Sequence, residues 1–242
     1  MEKYKAIILA AGRGKRLGDI TKDLPKPLLE INNKTLISYA IDFVKNIGIQ
    51  DIVVVAGYHF EQMEKKIKEI DDKIKVVNNS DFHLQNLVSF VKGLDYIKNE
   101  NLLVCNADYI FKDTTTEAVK NNLSGKAAYC SYDLLGNDED VMKVKIDENK
   151  NLIRMSKQLI DFEAIYTGIW FFEKKYIPEL KKIVKEILEN NDKNFTTVED
   201  IFNEFVKRGF EIKAVDIGKA DWFEVDTQEE FEKAKQILEF NA

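Results

Sequence analysis

The chain opens with a short apolar strand that runs directly into a loop of glycines and cations, and this junction constrains the fold more than any other stretch. Ala6-Ile7-Ile8-Leu9 has the pattern of a buried strand, and Ala10-Ala11-Gly12-Arg13-Gly14-Lys15-Arg16 follows it. Continuous apolar runs with β-branched residues are typical of covered parallel strands. Glycines after such a strand allow a tight turn and close approach of a ligand, and free N–H groups suit phosphate oxygens. The junction predicts a loop that binds a nucleoside triphosphate.

The spacing of this loop differs from two widespread phosphate-binding loops. Position 17 is leucine, which excludes the dinucleotide fingerprint, and Gly12 and Lys15 lack the spacing of a Walker loop. Leu9 to Leu17, Thr21 and Pro25-Lys26-Pro27-Leu28 instead match the signature L-A-A-G-x-G-x-R-L, then T, then P-K-P-L. On this signature the chain resembles the sugar-phosphate nucleotidyltransferase family. The resemblance implies that the triphosphate is bound by Leu9, Ala10, Ala11, Gly12, Arg13 and Gly14.

Length and composition limit the class of protein. The 242 residues are 45% hydrophobic and 32% charged, which is ordinary for a globular protein. A net charge of −6 without a basic stripe argues against a nucleic-acid partner. No apolar stretch approaches the roughly 20 residues of a membrane span, and no signal peptide is expected. Cys105 and Cys130 lie in separate apolar runs, so we expect reduced core cysteines in a cytoplasmic protein. We expect one domain over residues 1–242, with a homodimer left open.

The order of predicted elements indicates an α/β fold. In the first half, strands are expected at Ala6–Leu9, Ile52–Ala56, Ile74–Val77 and Leu102–Cys105, and helices at Lys34–Ile47, Phe60–Ile70 and Gln85–Tyr96. Strands alternating with helices in this way predict a doubly wound parallel sheet with right-handed crossovers. Gly48 fits the position that ends the first helix.

The alternation of predicted strands and helices ends after residue 126. Strands are expected at Ala127–Tyr132, Met142–Ile146, Leu152–Ser156, Ile169–Phe172 and Ile212–Val215, and helices at Tyr176–Glu189, Val198–Lys207 and from Asp226-Thr227 to Phe240. The turn at residues 147–151 is typical of a hairpin. We therefore predict a Rossmann-like, mixed but mainly parallel sheet with a small antiparallel lobe on the acceptor side.

Two carboxylates are candidates for a metal site. Asp108 closes the apolar strand LLVCNAD, where ligands collect at the carboxyl ends of open α/β sheets. Asp226 lies in the segment WFEVDT, where a helix N-cap is the alternative role. The family resemblance implies that Asp108 and Asp226 hold Mg²⁺, a hard cation that also takes phosphate oxygens. Ala107, which the resemblance implies contacts the nucleotide, replaces the glycine common in the family and adds one methyl group.

The implied chemistry needs no general base. A phosphate monoester has a second pKa of about 6, so the attacking oxygen of the acceptor is already deprotonated. His59 and His83 are accordingly read as loop or surface residues. Catalysis then consists of positioning and charge neutralisation. Arg16 is assigned to the leaving pyrophosphate, Lys26 to the α-phosphate and the acceptor phosphate, and Lys157, on the resemblance, to the acceptor phosphate.

The resemblance also implies where the acceptor and the base bind. Tyr109, Thr167, Gly168 and Glu199 are the expected acceptor residues. Thr196 and Glu199 also have the spacing of a capping box, which is the favoured role of Glu199. Asn86 and Ser89, at the start of a predicted helix, resemble the N-x-x-S pattern of the cytidylyltransferase branch and are expected to read the base of CTP. A helix N-cap is the alternative.

Three functions remain open on the sequence. The favoured one is Mg²⁺-dependent transfer of CMP from CTP to a small phosphorylated alcohol, with inositol-1-phosphate ahead of phosphocholine and an aminoalkyl phosphonate or sugar-1-phosphate behind. The alternatives are a UTP- or dTTP-dependent sugar-1-phosphate nucleotidyltransferase and a non-catalytic nucleotide sensor. A quaternary ammonium would require an aromatic box, for which the candidates are Tyr109, Tyr132, Tyr166, Trp170 and Trp222. Because the sequence ends soon after the last helix, a second activity is expected on another polypeptide.

Overall fold

A computed structural model of the chain describes residues 2–132, 141–218 and 222–239. Within these residues, nine strands form one mixed sheet and two further strand pairs flank it. The strands are β1 (Tyr4–Ala10), β2 (Glu30–Ile31), β3 (Lys34–Thr35), β4 (Ile52–Ala56), β5 (Lys75–Asn78), β6 (Asn101–Asn106), β7 (Tyr109–Phe111), β8 (Lys126–Ser131), β9 (Lys143–Ile146), β10 (Leu152–Ser156), β11 (Ala164–Phe172), β12 (Lys213–Asp216) and β13 (Trp222–Glu224). The helices are α1 (Leu36–Ile47), α2 (Phe60–Ile70), α3 (Asn86–Leu94), α4 (Asp113–Lys120), α5 (Ile177–Asn190), α6 (Val198–Lys207) and α7 (Gln228–Glu239).

Strand β1 lies at the centre of the parallel part of the sheet. It pairs in parallel with β4 on one side and β6 on the other, and β5 extends the sheet beyond β4. Ile7 packs in one core cluster with residues of α3, α5 and α6, whereas Ile8 packs in another with residues of α1, α2 and α4. Both side chains are fully buried. Helices on both faces explain why β1 is a continuous apolar run rather than an alternating one.

Strand β11 joins the parallel part to the antiparallel lobe. Its C-terminal half runs antiparallel to β6, its N-terminal end pairs with β9, and β8 lies along its other edge. Strand β10 continues beyond β9, and β12 is parallel to β8. The register along β8 shifts between Tyr166 and Ile169, which is a β-bulge. The mixed sheet with an antiparallel lobe predicted from the sequence is confirmed.

Most predicted elements are present with ends shifted by one or two residues. The helix Phe60–Ile70, the strand Leu152–Ser156 and the helix Val198–Lys207 have the predicted bounds. Gly48 ends α1 with φ of 108°, as expected for that position. Cys105 and Cys130 are buried free thiols. The end of the last helix was placed at Phe240, which lies outside the described residues.

Two sequence-based expectations about helices were wrong. Helix α4 was not predicted, because its sequence DTTTEAVK places three β-branched threonines in a row, which lowers helix propensity. The capping box of α6 is formed by Thr197 and Asp200, not by Thr196 and Glu199. The backbone N–H of Thr197 donates to Asp200 Oδ2 at 2.7 Å. Glu199 is therefore left for another role. Among the described residues, no helix is both long enough and apolar enough to cross a membrane.

Candidate active site

The loop after β1 is held in shape by the residues of the sequence signature. Thr21 Oγ1 donates to the carbonyl of Gly14 at 2.9 Å, and the N–H of Leu17 donates to the same carbonyl at 3.0 Å. Gly14 has φ of 73°, and a Cβ there would lie 2.7 Å from Lys26 Cβ. Only glycine combines this backbone with this closeness. The lack of a side chain at Gly14 therefore leaves the space that the Lys26 side chain occupies.

A short strand pair brings the two candidate metal ligands together. Strand β7 begins directly after Asp108 and pairs antiparallel with β13, which ends two residues before Asp226. The N–H of Val225 donates to the carbonyl of Asp108 at 2.9 Å, which closes the pair at this end. The two carboxylates, 118 residues apart along the chain (226 minus 108), therefore contact the same lysine.

Lys26 bridges these carboxylates. Its Nζ donates to Asp108 Oδ2 at 2.8 Å and is also paired with Asp226 Oδ1. Arg16 pairs with the other oxygen of Asp226. Lys26 is 6% exposed. Burial lowers the pKa of Lys26, but Asp108 and Asp226 outweigh it, so the pKa lies above its ordinary value of 10.5. The lysine is therefore cationic at neutral pH.

A third carboxylate, Glu224, joins this pair. Carboxylate oxygens of Asp108, Glu224 and Asp226 lie within 4.8 Å of one another. Asp108 Oδ1 is buried and has no hydrogen-bond partner among the described residues, which is a costly state for a carboxylate oxygen without a cation. Three hard oxygen donors with one unsatisfied buried oxygen fit a divalent cation such as Mg²⁺.

The ionisation of Glu224 reflects the same crowding. Burial and the charges of Asp108 and Asp226 raise the pKa of Glu224 to about 8, whereas Lys26 and the Tyr109 phenol act in the opposite direction. Glu224 was not assigned a role from the sequence. The strand register supplies the missing signal, because Glu224 is the direct partner of Tyr109, next to Asp108.

Two adjoining cavities meet at these charges. The larger has a volume of about 830 Å³ and lies over the glycine loop, and the smaller has a volume of about 210 Å³ and lies over β11 and the start of α6. Arg16, Gln85 and Asp226 line both cavities. The larger is of the size that a nucleotide occupies. The charged cluster thus lies at the junction of two binding spaces, an arrangement suited to a transfer between two bound molecules.

Residues 5–240 match the sequence model of the family described as nucleotidyl transferase. The chain belongs to the nucleotidyl transferase family. It is an enzyme of that type, and the family relationship predicted from the glycine loop is confirmed.

Individual relatives show what this nucleotidyl transferase is similar to. It is 30% identical over 254 residues to a choline-phosphate cytidylyltransferase of Streptococcus pneumoniae, covering 97% of this chain and 98% of the relative. It is 28% identical over 237 residues to a bifunctional IPC transferase and DIPP synthase of Aquifex aeolicus, covering 96% of this chain. Here the chain spans 51% of the relative's length.

The fold also has solved counterparts. The inositol-1-phosphate CTP transferase from T. maritima superimposes with a TM-score of 0.83 at 21% identity, covering 99% of this chain and 96% of the other. A CTP:phosphocholine cytidylyltransferase from Streptococcus pneumoniae superimposes with a TM-score of 0.79 at 23% identity, covering 98% and 99%. These likenesses confirm the fold of this nucleotidyl transferase.

The residues predicted to bind the triphosphate lie mostly on the larger cavity. Its walls include Leu9, Ala10, Gly12, Arg13, Gly14, Arg16, Lys26, Ala107 and Asp108. Ala11 is not part of the wall, and its carbonyl instead accepts the N–H of Tyr58 at 3.1 Å. Tyr58, Phe82 and His83 also line this cavity, and sequence reasoning assigned none of them to it. The Arg13 guanidinium lies 5.4 Å from the centre of the Tyr58 ring.

The residues predicted for the base, Asn86 and Ser89, are not among the described residues that line this larger cavity. Ser89 is buried, and its Oγ accepts Asn79 Nδ2 at 2.9 Å. Asn79 Oδ1 in turn accepts the N–H of Asp81 at 3.0 Å. Asn86 lines the smaller cavity, and its Oδ1 accepts the N–H of Val198 at 3.0 Å. These bonds fix the loop between β5 and α3 and tie α3 to the start of α6.

The residues predicted for the acceptor divide into two groups. Tyr109, Lys157, Gly168 and Glu199 line the smaller cavity. Thr167 does not: it is fully buried, and its hydroxyl donates to the carbonyl of Tyr129 at 2.9 Å. The β-bulge explains the difference, because the extra residues turn the Thr167 side chain toward β8.

Gly168 offers a direct test of whether the smaller cavity binds the acceptor. It has φ of 72°, and a Cβ there would lie 3.0 Å from both Asn106 Nδ2 and the Tyr109 ring. Gly209 has φ of 80° with no atom within 4 Å of its Cβ position. Both Gly→Ala variants incur the left-handed backbone cost of about 1–2 kcal/mol. We expect only Gly168→Ala also to raise the KM for the acceptor, as measured by steady-state kinetics beside thermal unfolding. Equal kinetics for the two variants would contradict the placement of the acceptor.

Proposed function

We propose that this enzyme transfers CMP from CTP to a small phosphorylated acceptor and releases pyrophosphate. The observation that carries the proposal is the position of Lys26, Asp108 and Asp226 where the two cavities meet. The larger cavity would hold CTP, with its triphosphate on the glycine loop, and the smaller would hold the acceptor. The use of CTP is supported by the names of relatives such as the choline-phosphate cytidylyltransferase of Streptococcus pneumoniae.

The reaction is a displacement at the α-phosphorus of CTP. An oxygen of the acceptor phosphate forms the new P–O bond, and the bond to the bridging oxygen breaks, so the electron pair leaves with pyrophosphate. The acceptor oxygen needs no general base, because phosphate is largely dianionic at neutral pH. Asp108 and Asp226, with Glu224 beside them, would hold Mg²⁺, which neutralises charge on the transferring phosphoryl group.

The cations of the chain supply the remaining charge stabilisation. Arg16 lines both cavities and would bind the leaving pyrophosphate. Lys26, on the wall of the larger cavity, would bind the α-phosphate, and Lys157, on the wall of the smaller, would bind the acceptor phosphate. With Mg²⁺ held by Asp108 and Asp226, Lys26 and Arg16 would exchange their carboxylate partners for phosphate oxygens of bound CTP. The ion pairs of the structure thus keep both sets of charges in place before substrate arrives.

The loop between β5 and α3 would select the base. Asn79, held by Ser89, fixes the backbone of this loop, and Phe82 and Gln85 from the loop line the larger cavity. Backbone groups held in this way can read the edge of a pyrimidine. Ser89 and Asn86 would then act on base selection by holding the loop and α3 in position.

A panel of substrates tests the proposal. Pyrophosphate release is measured with CTP, UTP, dTTP, ATP and GTP against a fixed mixture of phosphorylated alcohols, aminoalkyl phosphates and sugar-1-phosphates. We expect turnover with CTP to exceed that with the other triphosphates and to cease on removal of Mg²⁺ with EDTA. Turnover confined to UTP or dTTP with a sugar-1-phosphate would overturn the base assignment. Binding of a triphosphate without turnover of any acceptor would favour a sensor.

A further inference from the structure

The described residues that line the smaller cavity include more carboxylates than cations. Asp226 is paired with Lys26 and Arg16. Glu230 accepts the backbone N–H groups of Asp226 and Thr227, both at 2.8 Å, and so caps α7. Glu224 belongs to the cluster that fits a metal ion. Glu199 is the carboxylate on this cavity that neither the metal cluster nor a helix cap uses.

Glu199 lines the smaller cavity and takes no part in the cap of α6. It is 9% exposed and lines the cavity beside Tyr166. It lies in the first turn of α6, but Thr197 and Asp200 form the cap of that helix. Burial raises the pKa of Glu199 by more than the hydrogen bonds from the Thr197 hydroxyl and a backbone N–H, together with the charge of Lys157, lower it. A carboxylate taken out of water is costly unless a cation pairs with it.

Lys157 alone does not supply the cation that the buried carboxylate of Glu199 needs. In the proposed reaction it binds the phosphate of the acceptor, so its charge is shared with that dianion once substrate is bound. The pair Lys157 and Glu199 then presents a positive group and a negative group to a single small ligand. A ligand with a phosphate at one end and a cation at the other complements both.

The aromatic residues decide which kind of cation fits. Among the residues that the structure describes, only Tyr109 and Tyr166 of the five box candidates line this cavity. Trp170 is buried in the core with its ring centre 4.9 Å from that of Phe90. Tyr132 donates its hydroxyl to the carbonyl of Ala214 at 2.9 Å. A quaternary ammonium is recognised by an aromatic cage, whereas a primary ammonium donates hydrogen bonds to carboxylates.

Building on the proposed function, we infer that the acceptor is a phosphorylated or phosphonylated compound that carries a primary ammonium group, with Glu199 as the residue that selects it. Lys157 binds the phosphoryl end and Glu199 binds the ammonium end. The amine takes no part in bond making. This reverses the order predicted from the sequence, in which inositol-1-phosphate came first.

The first arm of the test uses the wild-type enzyme with CTP. The acceptors are phosphoethanolamine, 2-aminoethylphosphonate, N-acetylphosphoethanolamine, ethyl phosphate, phosphocholine and inositol-1-phosphate. A charge-assisted hydrogen bond predicts that kcat/KM for one or both amines exceeds that for ethyl phosphate and the N-acetyl compound by about 10–100-fold. The kcat/KM values of the two amines also show whether the enzyme prefers a phosphate ester or a phosphonate. A larger kcat/KM for inositol-1-phosphate or phosphocholine overturns the inference while the proposed function stands. Failure of every acceptor with CTP overturns the proposed function.

The second arm tests Glu199 itself. Glu199→Gln is expected to raise KM for the amine about 10–100-fold, with little change for ethyl phosphate or in KM for CTP. Glu199→Asp, which keeps the charge, is expected to recover part of the preference, and Glu189→Gln on the exposed surface of α5 serves as the control. An equal loss with all acceptors would show a merely structural role and overturn the assignment. If Glu199→Gln does not fold, the acceptor panel and Glu199→Asp still decide.

Discussion

Replacing Asp108 with asparagine is expected to abolish turnover and leave the fold intact. The variant keeps the shape of the side chain and an oxygen that can accept the hydrogen bond from Lys26. It loses the negative charge of the carboxylate whose Oδ1 is buried with no partner in the part of the chain that the structure describes. Metal stabilisation of the transferring phosphoryl group contributes several kcal/mol, so we expect a loss of at least about 10³-fold in kcat.

Pyrophosphate release and circular dichroism together check this expectation. The matched control is Asp72→Asn, which removes an exposed carboxylate and should retain full activity. Metal binding gives a second readout, because Mg²⁺ should raise the melting temperature of the wild type in the presence of CTP and have little effect on Asp108→Asn. Activity within about tenfold of the wild type would rule out Asp108 as a metal ligand.

Replacing Lys26 with methionine is expected to reduce both turnover and stability. The change removes the cation that would bind the α-phosphate, and the loss of one preorganised charge in a catalytic site costs about 10²–10³-fold in kcat. It also removes the lysine that Asp108 and Asp226 share and leaves these two carboxylates close to each other and to Glu224. Like charges at this distance repel, so the metal-free variant should melt at a lower temperature than the wild type.

Added Mg²⁺ distinguishes the effect of Lys26 on turnover from its effect on stability. In the wild type the metal must displace the ammonium group from Asp108 and Asp226, whereas in the variant the carboxylates are free of that competitor. Added Mg²⁺ should therefore raise the melting temperature of Lys26→Met more than that of the wild type, with kcat remaining low. Because the pKa of Lys26 lies above 10.5, its charge persists below that pH, and a measurement at pH 8 keeps the ion pairs intact.

The control for Lys26 is the exposed residue Lys22, four positions earlier. Lys22→Met should match the wild type in kcat and in its response to Mg²⁺. A wild-type kcat for Lys26→Met, or an identical response of the two variants to Mg²⁺, would show that Lys26 has no part in the reaction or in the carboxylate cluster.

The sequence was sufficient to predict the central sheet and the residues at the carboxyl ends of its strands. Continuous apolar runs identify strands β1, β4 and β6, and the loops after such strands meet at one edge. Gly12 and Asp108 could therefore be assigned to one crevice before any coordinates. The pairing of β7 with β13 could not be foreseen, because strands of three residues carry too little pattern. That pairing brings Glu224 into the site.

Two further features depend on packing that local sequence does not encode. The segment TTVED contains two overlapping capping patterns of Ser or Thr followed three residues later by Asp or Glu, namely Thr196 with Glu199 and Thr197 with Asp200. The structure uses the second, and Glu199 lines the smaller cavity. The β-bulge in β11 likewise directs the Thr167 side chain toward β8. Gly168 inside the strand is a signal that a bulge can form, but the sequence does not show which way the neighbouring side chain turns.

The most direct test of the central claim is an anomalous-diffraction experiment on crystals grown with CTP and Mn²⁺, a substitute for Mg²⁺ whose position can be measured. We expect a manganese peak bonded to carboxylate oxygens of both Asp108 and Asp226 and to the triphosphate, with the phosphates against residues 10–16. A triphosphate bound elsewhere, or a metal that contacts neither carboxylate, would contradict it.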